Sequence, residues 1–392
     1  MTRRFRPAPR LAILLALWAA SVAAQDVDID ALKFSASQGQ RYDSNLFRRS
    51  TNARSETLST TTVGLQLDKR YSLQRVELDV NLASNRYRSN DYLNFNAVNY
   101  RAVWHWSVTP RLRGSISRTR SDDINTFDYF RSFDRNVRTD IKTGATAVAV
   151  LGRDWLLLGG IERDERSNER PTAQSGDYTL RNISAGVRRV FPSGSRISYR
   201  VLDGQGDYFN RVPGVTATPT AYSQLEHEVQ VSWSVTAKTT VSATLGYIDR
   251  KHRDLAVRDF SGLRGNLNVN WRATGKSGVQ LTLARSISPY QTNTASYTVG
   301  NRISMYPYWS ISSRAAVYAS LDHLRYSFDG ALPGVDNNAR EDRTNIAGLG
   351  VRWEPFDALS LNAGVYRELR TSNLEGFGYS NTSAQFSAKF VF

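Results

Sequence analysis

Long stretches of this chain alternate strictly between apolar and polar residues, and that period of two restricts its fold more than any other feature. In Val76-Glu77-Leu78-Asp79-Val80-Asn81-Leu82, every even position is aliphatic and every odd one is polar. A strand sends successive side chains to opposite faces, so one face of such a segment meets an apolar phase and the other meets water. The pattern returns where Leu225, His227, Val229, Val231, Trp233 and Val235 interleave with Glu226, Glu228, Gln230, Ser232 and Ser234. It appears again over 263–272, and in shorter runs at 279–283 and 359–365. Strands of soluble sandwiches are usually about five or six residues long. Many runs here reach about nine or more, the length a tilted strand needs to cross a bilayer.

The connections alternate as well. Short turns are expected at 109–111, 152–154, 192–194, 236–238, 274–277, 306–308 and 355–357, where Pro, Gly or small polar residues gather, with a looser one near 68–70. Long polar stretches such as 120–138, 203–221, 249–261 and 327–342 separate them. Eight short turns and nine long loops give 18 strands. The expected fold is therefore all-β: a transmembrane antiparallel up-and-down β-barrel of about 18 strands with both termini in the periplasm. Trp106, Phe191, Trp233, Trp271 and Trp353 precede short turns on the lipid-facing parity and would form the periplasmic aromatic girdle. At the C-terminus Phe386, Phe390 and Phe392 share one face, with Gln385, Ser387 and Lys389 opposite. A last strand of this kind resembles the signal read by the outer-membrane barrel assembly machinery, although Ala388 stands where some signals carry a large residue.

The N-terminus reads as an export signal. Arg3, Arg4, Arg6 and Arg10 precede an apolar run over 11–20, and Val22-Ala23-Ala24 suits a signal-peptidase cut. Residues 1–24 are thus expected to be removed, leaving 25–392 as the barrel. The chain's formal charge of +15 would otherwise suggest nucleic acid as a partner. Export sets that partner aside, and no lysine- or arginine-rich tail exists to carry it: only seven of the 51 basic residues are lysine. Outer-membrane lipid is the expected surrounding instead. The absence of cysteine removes disulfide frameworks, thiolate metal sites and cysteine nucleophiles.

By parity, the inward face carries Arg101, Arg113, Arg196, Arg200, Arg264, Arg272, Arg302, Arg314 and Arg352, offset locally by Glu77, Asp79, Glu226 and Glu228. Two readings stand side by side. Arginine forks suit carboxylates, so the lumen could attract anionic solutes or acidic sugars. The same arginines could equally pair with acids across neighbouring strands and stiffen the wall. The loop segment Phe127-Asp128-Tyr129-Phe130-Arg131-Ser132-Phe133-Asp134 leaves a similar choice between stacking on sugar faces and packing loops over the mouth. Catalysis has little to work with: of four histidines only His252, in an expected loop, is placed as a base, among Arg250, Lys251 and Arg253. No G-x-S-x-G, H-E-x-x-H or phosphate-binding glycine loop occurs, and neither a metal nor a cofactor is implied.

At the top of the first expected strand stands Gln40-Arg41-Tyr42-Asp43-Ser44-Asn45-Leu46-Phe47-Arg48. Its Tyr42, Asp43, Asn45, Phe47 and Arg48 resemble the Y-D-x-N-[LV]-[FY]-R stretch of EpsL-type outer-membrane barrels, within the wider β-barrel porin type 2 group. The resemblance implies a conduit or accessory in exopolysaccharide biosynthesis and secretion, with polysaccharide and periplasmic export components as partners. It supplies no catalytic residues. A general anion-leaning porin for small solutes is the alternative, and a structural or adhesive barrel is a third. A local physical reading of the same residues is an Asx-type turn with Phe47 packing the loop.

Overall fold

The computed structural model of the chain describes residues 31–128, 132–212, 218–335 and 339–392, so the expected signal peptide lies outside the described residues. Eighteen strands run in chain order: β1 (Leu32–Asp43), β2 (Glu56–Tyr71), β3 (Gln74–Tyr87), β4 (Phe95–Thr109), β5 (Leu112–Ile124), β6 (Val137–Val150), β7 (Trp155–Asn168), β8 (Tyr178–Val190), β9 (Arg196–Asp207), β10 (Ala221–Thr236), β11 (Thr239–His252), β12 (Phe260–Trp271), β13 (Ser277–Pro289), β14 (Tyr297–Ser310), β15 (Ala315–Asp329), β16 (Glu341–Phe356), β17 (Leu359–Ser372) and β18 (Tyr379–Val391). Each pairs antiparallel with its sequence neighbours, and β18 returns to β1 with Ser35 opposite Val391 and Asp43 opposite Ser383. Phe34 and Phe392 exchange two backbone hydrogen bonds of 2.8 and 2.9 Å at that seam. The sheet is closed, so no strand edge is left to face lipid unpaired.

Nine longer loops join the strands at one end: L1 (44–55), L2 (88–94), L3 (125–136), L4 (169–177), L5 (208–220), L6 (253–259), L7 (290–296), L8 (330–340) and L9 (373–378). Eight tight turns and both ends of the barrel domain occupy the other end, which is the periplasmic side. The expected count of 18 strands and the alternation of loop lengths agree with this architecture.

Two expected turns were misplaced. The 306–308 segment lies inside β14, and the chain reverses at 311–314. Pro307 was read as a turn residue, yet it sits opposite Val279 in the ladder to β13. On its other side the ladder to β15 lapses at Tyr306 and Pro307 and resumes in the same register at Tyr308 opposite Tyr318. A proline missing one hydrogen bond is tolerated there without a turn. Likewise 68–70 is strand, and the reversal is made by Ser72 and Leu73, with Ser72 at φ 54°. No Gly or Pro marks it.

An apolar, exposed face runs around the outside of the sheet, as with Leu349, Val365, Ile161 and Ile183. This is the lipid-facing belt of an outer-membrane barrel. Trp233, Trp271 and Trp353 lie on it near the turns, joined by Trp104, Trp155 and Trp309. Phe386 and Phe390 face the same way, and Phe392 stacks on Phe34 at 6.2 Å.

On the lumen side, bulky rings cover glycines. The Tyr318 ring lies over Gly350, stacks on Tyr306 at 5.1 Å and brings its hydroxyl 3.5 Å from that of Tyr366. A Cβ on Gly350 would come within 2.3 Å of the Tyr318 ring. Gly350→Ala is expected to cost about 1–3 kcal/mol by overpacking. The check is the urea midpoint of the detergent-refolded barrel, and an unchanged midpoint would mean the tyrosine ring yields freely.

Candidate functional site

The extracellular mouth is built from interlocked loops. Asp43, the last residue of β1, faces inward and accepts hydrogen bonds from Asn381 of β18 (2.9 Å) and from Arg48 of L1 (3.3 Å). Arg48 also lies 3.3 Å from Glu368 and 3.6 Å from Asp128, so one cation ties L1 to β1, β17 and L3. It adopts φ 52°, a left-handed backbone that arginine rarely takes. Burial opposes its charge, but Glu368, Asp43 and Asp128 more than offset this and hold its pKa above the ordinary arginine value. Asn45 donates to the carbonyls of Arg49 (2.8 Å) and Ser380 (3.0 Å) and accepts from the Arg49 amide (2.9 Å). Phe47 is buried with its ring 4.8 Å from those of Phe127 and Phe133. Four of the five resemblance residues therefore knit the loops together, while Tyr42 is exposed on the outward face. Phe127 and Phe133 pack against L1, which is the loop-packing alternative for that segment.

Beneath the loops lies a cavity of about 570 Å³. Its lining comes from two parts of the wall, β6–β8 with L4 and L5 on one side and β13–β15 with L7 on the other. Strands β9–β12 separate these parts along the sheet, so the cavity occupies the lumen between them. Arg138 and Arg166 share the carboxylate of Asp140 at 2.8 and 2.7 Å. Arg211 of L5 lies 3.5 Å over the Tyr208 ring and, among the described residues, donates to the carbonyls of Ser175 (2.5 Å) and Pro219 (2.7 Å). Burial pulls the Arg211 guanidinium below the usual arginine value. Arginine's ordinary value is so high that it stays charged at neutral pH all the same. Three arginines line the cavity with Tyr178, Tyr208, Tyr290 and Tyr326, and no aspartate or glutamate is among the described lining residues.

An aromatic row continues from it around the rim. Ring centroids are 6.2 Å apart for Tyr178–Tyr208, 5.7 Å for Tyr208–Tyr222, 6.1 Å for Tyr222–His252 and 6.2 Å for His252–Phe260. Arg250 lies 4.0 Å above Tyr222. His252 ends β11 rather than sitting in a loop. It is buried, and its backbone amide donates to Asp259 at 2.7 Å while Nδ1 lies 3.3 Å from the same oxygen. Its surroundings are those of a rim-packing residue.

The arginines marked by parity divide into three groups. Arg101, Arg200, Arg264, Arg302 and Arg352 lie on the face opposite the lipid belt and pair with Glu77 (2.7 Å), Glu228 (2.5 Å), Glu226, Asp322 and Glu354 respectively. Arg113 and Arg196 share that face. Arg113 donates to the Pro110 carbonyl, and Arg196 lines a second lumen recess with Arg188, Gln230, Asn266 and Asn268. Arg272 and Arg314 stand in periplasmic turns, where strand parity ends, bonded to the Ala237 and Pro355 carbonyls. Pairing with acids, the wall-stiffening alternative, thus accounts for most of the marked arginines. A further cationic site is formed by Arg138, Arg166 and Arg211, none of which was marked. Arg138 falls in the expected 120–138 loop, into which β6 extends, and Arg211 falls in the expected 203–221 loop and does lie in L5.

Closure, the apolar belt and the wet, arginine-bearing interior together define a porin-type outer-membrane β-barrel. Residues 223–392 match the family described as "putative beta-barrel porin 2". No curated protein sequence matches the chain. Among solved structures, the chain is similar to Pseudomonas aeruginosa OccK2 (OpdF) in complex with glucuronate, at 12% identity and TM-score 0.55 over 93% of this chain and 99% of that one. It is similar to Pseudomonas aeruginosa OpdK with vanillate, at 13% identity and TM-score 0.54 over 93% and 99%. A BenF-like porin from Pseudomonas fluorescens Pf-5 follows at 10% identity and TM-score 0.54 over 92% and 99%. At these identities the likeness is one of fold.

Proposed function

We infer that this barrel passes small carboxylated solutes across the outer membrane, with the Arg138–Arg166–Arg211 cavity as its selective station. The observation that carries the reading is that cavity: three guanidinium groups among four tyrosines, without a described lining carboxylate. A planar fork matches a carboxylate in two-point contact, and tyrosine rings accept the flat face of a sugar or aromatic ring. Asp140 neutralises part of the charge of Arg138 and Arg166, which favours passage over retention. Two barrels of the same fold are described with ring carboxylates, glucuronate and vanillate, and these compounds serve as probes here.

Exopolysaccharide passage, the role implied by the resemblance at Tyr42–Arg48, has no observation beyond that resemblance behind it. Four of the motif's residues already have work to do in holding L1, and that work needs no polymer to explain it. Assembly through the last-strand phenylalanines and cleavage after Ala24 belong to the same account as proposals. Deleting Phe392 is expected to lower outer-membrane levels in cells more than it lowers refolding yield in detergent, since one such side chain contributes only about 1.5–3 kcal/mol of burial.

The test is uptake by liposomes containing the full barrel. Glucuronate should enter faster than glucose of similar size. Equal rates would remove the charge-selective reading. Gene deletion that abolishes surface polysaccharide while leaving carboxylate uptake intact would favour the polymer role instead.

A further inference from the structure

Arginines on the outward face form two rows near the extracellular ends of the strands. In one, Arg285 of β13 lies opposite Asn301 of β14, Asn301 opposite Arg325 of β15, and Arg325 opposite Arg343 of β16. Arg367 of β17 flanks this row, opposite Ala347 and Thr382. The second row sets Arg118 of β5 opposite Thr143, Thr143 opposite Arg163 of β7, and Arg163 opposite Arg181 of β8. All share the parity of the apolar belt. Arg285 is two residues above exposed Leu283, Arg367 two above Val365, and Arg163 two above Ile161.

Two features of these rows are unexpected for a merely solvated rim. Like charges directly opposite each other in a sheet repel, yet Arg325 faces Arg343 and Arg163 faces Arg181. The carboxylates also fall short. Arg325 and Arg343 share one glutamate, Glu341, at 2.6 and 2.7 Å. In the second row Arg163 has Glu165 at 3.1 Å, while Arg285 donates to the Leu263 carbonyl (3.1 Å) and Asn301 (3.0 Å), Arg367 to Thr382 (2.7 Å), and Arg118 to Tyr100 (3.0 Å) and Thr143 (3.1 Å). In the lumen, by contrast, the wall arginines mostly have their own acids. Outward charge is therefore in excess towards the extracellular ends of these strands, where an arginine near the interface costs little but faces lipid headgroups.

We propose that the Arg285–Arg325–Arg343–Arg367 patch binds the phosphate groups of a phosphorylated glycolipid of the outer leaflet. Its row crosses three strand spacings of about 4.8 Å each, a span that a headgroup of more than one sugar can bridge. Guanidinium forks would take phosphate oxygens in pairs, and the phosphates would relieve the repulsion between Arg325 and Arg343. Acyl chains would lie along Leu283, Ile303, Leu321 and Val365 below. The inference is independent of what passes through the lumen.

The full barrel is mixed in detergent with a bis-phosphorylated glycolipid, or with the same lipid after phosphatase treatment, and bound lipid is counted by native mass spectrometry. Compared with wild type are Arg285→Gln/Arg325→Gln/Arg343→Gln/Arg367→Gln and a charge-matched control, Arg111→Gln/Arg153→Gln/Lys238→Gln/Lys276→Gln, in the periplasmic turns. Wild type and control should retain the phosphorylated lipid, and the patch variant should bind it roughly tenfold or more weakly. The dephosphorylated lipid should bind poorly to all three. Equal retention by the patch variant, retention independent of phosphate, or full competition by equimolar inorganic phosphate would overturn the proposal. Should the fourfold variant fail to show a heat-shifted gel band, Arg285→Gln/Arg367→Gln gives the same test with a smaller expected loss.

Discussion

Arg48→Ala is expected to release the extracellular mouth while leaving the barrel folded. The substitution leaves Asp43, Asp128 and Glu368 near one another without their shared cation. Removing one partner of a buried ion cluster costs about 3–5 kcal/mol. Because Arg48 belongs to L1, that cost falls on the L1–L3 contact rather than on the closed sheet. L1 should become open to cleavage by added protease in intact cells, and single-channel current should become noisier. Neutralising the acids as well, with Asp43→Asn and Glu368→Gln in the Arg48→Met background, should restore much of the protection. A neutral cluster avoids the uncompensated charge. Wild-type protease resistance in Arg48→Ala would show that Phe47 packing alone secures the loop.

The second large effect is expected at the cavity. Arg211→Gln removes a guanidinium that has no carboxylate partner among its described contacts, and Arg166→Gln leaves Asp140 still held by Arg138. A hydrogen bond to a charged group is worth about 1.5–3 kcal/mol. The glucuronate or vanillate concentration that blocks half of the current should therefore rise roughly tenfold or more in each variant. Neutral sugars should be unaffected. Arg264→Gln, whose target is the wall pair with Glu226, should move this reading much less. Equal effects of Arg264→Gln and Arg211→Gln would dissolve the distinction between wall and cavity.

Periodicity carried the barrel well because membrane strands must repeat one choice, apolar outward and polar inward, at every second residue. It identified the lipid face from Val76 to Leu82 and from Leu225 to Val235, and the rhythm of connections fixed the strand number. It failed where the signal was borrowed from composition. Pro307 looked like a turn, which hid Trp309 from the girdle, while Ser72 and Leu73 turned the chain with no Gly or Pro to announce it. The site was less legible for a related reason. Arg138 and Arg166 lie on strand ends above the membrane, where both faces are wet and the alternation loses its meaning. Arg211 lies in a loop, and only folding brings it opposite Tyr290 and Tyr326. The Tyr42–Arg48 segment was conspicuous in sequence, but its geometry makes it a loop anchor.

The central proposal, an anion-favouring barrel made selective by the arginines of its cavity, is tested most directly by the reversal potential of the wild-type barrel in a planar bilayer under a salt gradient near 0.1 M. Charges act over about 10 Å at that ionic strength. The account predicts a potential of the anion-selective sign that shrinks as salt rises, and that shrinks at fixed salt when Arg138, Arg166 and Arg211 are all changed to glutamine. A cation-selective potential, or an anion-selective one that the triple variant leaves untouched, would contradict it.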